Sequence, residues 1–214
     1  MTRMPLAVVA VVVLVAGAGC LGFLSGSEPL EFAATPATVA DSATADTGYQ
    51  EKRVEAQPLE REVTVAGQTR TVKVTNHVAV YTREADLGPL GQQELGTFVA
   101  LSTPEIEVLG RTFNPVGDMS NRELLGQIQG NYQGLQIGDR VGSTSVQLLD
   151  QSTTLETYDG TATAQGQSVD VRIRIAKVTH EGDFVVVVGI YPTQLEGEGD
   201  RIETLIGGVT HAGA

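Results

Sequence analysis

"TTLETYDGTATAQGQSVDVRIRIAKVTHEGDFVVVVGIYP", Thr153 to Pro192, decides the fold. Short runs rich in β-branched residues and bounded by glycine and polar turn residues read as strands. Here they make three in succession, with turns at Gln165-Gly166-Gln167 and at Glu181-Gly182-Asp183. The middle run alternates, with Val169, Val171, Ile173 and Ile175 on one face and Asp170, Arg172 and Arg174 on the other. "FVVVVGIY" has no polar face, so it is expected to be buried on both sides as a central strand that Pro192 ends.

Downstream, Ile202, Leu205, Ile206 and Val209 have the spacing of an amphipathic helix over Glu198 to about Gly207, which would cover one face of the sheet. The acids of "EGEGD", Glu196 to Asp200, suit the positive end of that helix better than a calcium loop, because regular ligand positions are missing. Upstream, "MSNRELLGQIQGNY" holds the best helix start: Ser120 and Glu123 have capping-box spacing, and Leu124, Leu125 and Ile128 follow on one face. "GNYQGLQIGDRVGS" behind it reads as a glycine-rich loop. "GTFVALSTPEIEVLG" reads as two strands broken at Thr103-Pro104, and "EVTVAGQTRTVKV" as a hairpin whose second arm runs on to Arg83. In "TPATVADSATADTGY" a short helix from about Pro36 to Asp46 is expected, with Thr35 as N-cap and Gly48 as terminator. The expected class is α+β: a single antiparallel sheet of about six to eight strands, ending in a three-strand meander and flanked by a few short helices.

The amino end sets the location. "LAVVAVVVLVAGAGCLG", Leu6 to Gly22, holds a 14-residue apolar run to Gly19, then the only cysteine, Cys20. A spanning helix needs about 20 apolar residues. A shorter run behind Arg3, leaving through Gly17, Ala18 and Gly19, reads as a secretion signal. Small residues immediately before a single cysteine resemble the lipobox of prokaryotic lipoproteins, with Gly17 departing from the usual Leu or Val. The expected organisation is a signal peptide at 1–19, lipid attachment at Cys20 with a tether to 29, and one domain over 30–212. Localisation follows: cell membrane, lipid-anchored, on the extracellular face.

Beyond Cys20 there is no cysteine, so disulfides, thiolate metal sites and cysteine nucleophiles are excluded from the domain. Acids outnumber bases 26 to 14, for a net charge of −12. Nucleic acid is thereby excluded as a partner, since phosphates demand clustered Lys and Arg. Only Lys52, Lys73 and Lys177 are lysines, and tryptophan is absent. This composition suits concentrated salt, where acidic self-repulsion is screened, and it makes the acids a solvated surface rather than catalysts.

Two resemblances follow from these segments. With its signal ending "AGAGCLG" and the segments "ATPATVADSATADTGY" and "STPEIEVLGRTFNPVGDMSNRELL", the chain resembles an uncharacterised family of predicted lipoproteins from halobacteria, which implies place and lineage without mechanism. The carboxy-terminal order, a meander with an apolar last strand and then a helix ending "LIGGV", is similar to PsbP/Mog1-like proteins. That likeness implies an antiparallel sheet flanked by helices and carries no functional residue.

No nucleophile elbow, phosphate loop or dinucleotide fingerprint occurs. His77, His180 and His211 lack the close spacing of a metal motif, so a shared site exists only if the fold assembles them, and no metal or cofactor is expected. The most suggestive surface is the irregular segment from Arg111 to Arg140, where Phe113, Asn114, Asn131 and Tyr132 form a candidate binding loop. The expected function is a non-catalytic binding module on a lipid anchor, with a protein partner at the cell surface. An accessory or assembly subunit of a membrane complex, and an enzyme whose site is non-contiguous, stay open as alternatives. Ligand and oligomeric state are not legible.

Overall fold

The computed structural model describes residues 29–65, 68–86, 92–108, 111–112, 114–131, 134–164 and 166–211. The leader, Cys20, Phe113 and Tyr132 lie outside them. Among the described residues no helix is long and apolar enough to cross a membrane.

The chain divides into a larger unit, Ala33–Gln57 with Thr75–Ala214, and a smaller one, Met1–Phe32 with Pro58–Val74. The smaller unit holds Pro58–Val74 of the expected hairpin of β3 (Gln50–Val65) with β4 (Gln68–Asp86), and most of β1 (Leu30–Ala33), which lines β4. Its Lys73–Glu31 ion pair, 3.3 Å long, is exposed and adds little.

The larger unit is built on an open antiparallel sheet in the order β4, β5 (Gln92–Pro104), β11 (Asp183–Pro192), β10 (Gln167–His180), β9 (Gln151–Ala164) and β8 (Leu135–Leu148). β6 (Glu107–Val108) and β7 (Arg111–Thr112) form a separate short ribbon, so the break after Thr103-Pro104 is as expected. β11 is central, between β5 and β10, and nearly every residue of it is buried. Alternation explains why: Val185, Val187 and Tyr191 belong to one apolar cluster, and Val186 and Val188 to the other.

The first face is covered by α3 (Glu198–Gly207), α1 (Asp41–Thr47) and a ribbon of β2 (Ala37–Val39) with β12 (Val209–His211). Ile202, Leu205 and Ile206 of α3 are fully buried, as their spacing predicted. The second face takes Leu124 and Leu125 of α2 (Asn121–Asn131). The capping box of α2 forms: the Ser120 N–H donates to Glu123 Oε2 at 2.8 Å, and the Glu123 N–H to Ser120 Oγ at 3.3 Å. The Lys177 ammonium fixes the loop before it, donating to the carbonyls of Val116, Gly117 and Met119 at 2.7–2.9 Å. Burial lowers the pKa of that amine.

Three expectations need correction. Part of the supposed glycine-rich loop, from Leu135 onward, is strand β8, an edge strand largely exposed and irregular between Ile137 and Gly142. Gly138 belongs there because a Cβ would stand 3.2 Å from the Asp159 carbonyl. The expected helix from Pro36 begins only at Asp41, since Ala37 and Val39 point inward as a strand paired with β12; the Gly48 terminator, at φ 73°, is as expected. Val209, counted with the spacing of the last helix, lies beyond α3 in strand β12.

Packing of α3 on β11 has a sharp test. A Cβ at Gly189 would lie 2.7 Å from Ile202, which is fully buried and has no room to withdraw. Gly189→Ala is expected to lower stability by about 1–3 kcal/mol in urea unfolding. Gly126→Ala, in α2 with open space around its Cβ, is expected to raise it by about 0.5–1 kcal/mol.

Candidate functional site

The polar residues that face inward gather in two places on the first face. One anchors α3. Glu198, in its first turn, has no exposed surface and is ion-paired with Arg83 of β4, whose Nε donates at 3.1 Å. The Tyr49 hydroxyl donates to Glu198 Oε1 at 2.8 Å. Gly96 permits this approach, because a Cβ there would collide with the Tyr49 hydroxyl. Arg174 of β10 ties the same helix, donating to the Gly199 carbonyl at 2.7 Å and to Glu203 at 2.5 Å. The expectation that acids form a solvated surface therefore fails at Glu198: acids do stand in the first turn of α3, but none makes a side-chain cap, and a guanidinium and a phenol have drawn this carboxylate inward.

The second gathering lies where β11 begins. The β10–β11 hairpin closes through Glu181 and Gly182 at φ 50° and 84°, the positive angles of a two-residue type I′ turn. Its flanking pair, His180 and Asp183, is directly opposed. Opposed residues share a face, and alternation from Val178 and Val185 puts both on the first face. β12 brings His211 onto them with its side chain inward. His211 Nε2 stands 3.0 Å from Asp183 Oδ2, which also accepts the Thr35 N–H at 2.7 Å. A carboxylate only accepts, so this contact places a ring proton on Nε2, and in the neutral imidazole the lone pair is then on Nδ1. His211 Nδ1 is buried without a hydrogen-bond partner. The His180 ring meets His211 edge-on, centroids 5.4 Å apart, and its Nδ1 lies 3.4 Å from the Gln151 amide nitrogen.

The three histidines thus fare differently. His180 and His211, 31 positions apart in sequence, are brought together, while His77 sits on β4 opposite Ser102. Neither His211 nor Asp183 could be placed from local spacing. The one readable signal was the turn "HEGD", whose first and last residues must face the same way in a two-residue hairpin.

The candidate loop is only partly described. Asn114 is buried and fully engaged, donating to Thr103 Oγ1 at 2.8 Å and the Pro104 carbonyl at 2.7 Å and accepting from the Val116 N–H at 3.0 Å. It shapes the loop, with its amide engaged inside the protein. Asn131 closes α2, and Phe113 and Tyr132 lie outside the described residues. Two open clefts of about 540 Å³ each occur, one along β8–β10 beside Gly138 and Asp159, the other beside α1 and Tyr81. Neither is lined by the histidine pair.

Fold and site define an open antiparallel α+β domain, covered on both faces, with a buried imidazole–carboxylate pair at one end of its central strand. A family model described as Domain of unknown function (DUF6517) matches residues 36–210, and the chain belongs to that family. No curated protein matches it.

Burial first, and the Glu198 carboxylate second, push the Tyr49 hydroxyl far above the ordinary tyrosine range. A raised folded-state pKa stabilises the fold at every pH below the unfolded value of about 10, and that stability is lost as pH climbs past it. Tyr49→Phe is expected to lower neutral-pH stability by about 1–3 kcal/mol and to flatten the decline above about pH 10 in denaturation curves taken across the range.

Proposed function

We propose that this protein is a membrane-anchored lipoprotein of the extracellular face whose domain acts as a non-catalytic binding module. The observation that carries the reading is the apolar leader ending in small residues at Cys20, with no other cysteine to give that thiol a structural purpose. Its length falls short of a span, and a cysteine carrying lipid would replace it as the anchor. The acidic balance of 26 to 14 supports a habitat in concentrated salt and a haloarchaeal lineage.

A rigid sheet presenting loops and clefts is the architecture on which binding surfaces are commonly carried. The partner on this reading is a protein at the cell surface. A second reading, an accessory subunit of a membrane complex, draws on the apolar strand followed by a helix, the order in which the sequence resembles PsbP/Mog1-like proteins. Pull-down from salt-matched membranes distinguishes them: an accessory subunit brings down a stoichiometric membrane complex, a free-standing module does not.

Anchoring is tested at one atom. Labelled lipid is expected to enter the wild-type protein and not Cys20→Ser, which should be released or keep its leader. Membrane retention of a fully processed serine variant contradicts the reading.

A further inference from the structure

We infer that His211 Nδ1, one ring nitrogen of His180 and the Glu181 carboxylate bind a single divalent transition-metal ion of the zinc class. One ligand atom from each of these three residues lies within 4.8 Å of the other two. Around a tetrahedral zinc at ~2.0–2.1 Å the ligand atoms would be about 3.3 Å apart, so a modest closure completes the set. The groups that must move are the outer ones: Glu181 is exposed in its turn, and His180 is half-buried with the long Gln151 contact on its Nδ1, while His211 is held.

The second observation is independent of this proximity. A buried ring nitrogen with no partner is an uncommon and unfavourable feature, since the group loses water and receives nothing in exchange. Asp183 determines which nitrogen that is. By holding Nε2 it orients the ring and leaves Nδ1 as the nitrogen open to a metal, as the outer carboxylate does in a carboxylate–histidine–metal triad. Asp183 is in turn held by the Thr35 N–H, so the order from backbone to carboxylate to imidazole is complete before any ion arrives.

Two imidazoles and one carboxylate suit zinc, copper or nickel rather than magnesium or calcium, which prefer all-oxygen shells. Three protein ligands leave a fourth position for water or for a group from a partner. The site does not depend on lipid anchoring, so either can fail without the other.

The test is calorimetric titration of the metal-stripped full chain in detergent with ZnCl₂, in about 1 M KCl to suppress diffuse binding to the acidic surface. One equivalent should bind, and thermal unfolding should shift upward with zinc. His180→Ala, at a half-buried position whose loss spares the core, should weaken binding at least about tenfold and remove the thermal shift. His77→Ala and Cys20→Ser should leave both unchanged. The inference is overturned by failure to saturate at one equivalent, by unchanged affinity in His180→Ala, or by loss of binding in Cys20→Ser.

Discussion

Strand β11 has no side that water can wet, and the rest of the larger unit answers to that constraint. Each fully buried valine contributes about 1.5–3 kcal/mol relative to exposure, so four in a row, Val185 to Val188, demand cover on both faces. One cover comes from the chain that follows β11: α3 packs Ile202, Leu205 and Ile206 on the strand, with Gly189 left bare so that the helix can approach. The other comes from α2 and the loop that Lys177 of β10 fixes on that same face. Charged groups serve this packing instead of opposing it. Arg83, Tyr49 and Arg174 each hold the first turns of α3 against the sheet, by contacts that a purely apolar helix could not make directional.

The same constraint places the polar site. Where β11 begins, the apolar run has not yet started, and Asp183 occupies an inward position that α3 does not reach. β12, continuing from α3, closes that gap and supplies His211 to the carboxylate. Cover and site are thus one structural event, because the ribbon that finishes the first face also delivers the imidazole. An ion bound at His211 would tie β12 to the β10–β11 turn and would report on the integrity of the whole covering layer.

Much of this was legible in sequence where periodicity was strong. The apolar run of β11 after Asp183, the alternation of β10, the amphipathic spacing of α3 and the Ser120–Glu123 box each specify one structure through local chemistry. β8 was missed because an exposed edge strand needs no apolar face, and its glycines and bulges imitate a loop. β2 and β12 were missed because three-residue strands have no period to read; their mutual pairing makes them. Glu198 was read as surface because its burial depends on Arg83 and Tyr49, more than a hundred positions away, and the histidine pair depends on a fold that ends where it began. The contacts of the Asn114 amide with Thr103, Pro104 and Val116 were not legible, because asparagine in an irregular segment has no periodic pattern to give its partners away.

The central claim is that β11 is sealed from both faces by covers that belong to the native fold alone. Amide hydrogen exchange on the full chain tests it directly. The amides of Val185 to Val188 should be among the slowest in the protein and exchange only through global unfolding, with the same denaturant dependence as the unfolding transition itself. Exchange of those amides at rates resembling the edge strand β8 would contradict it.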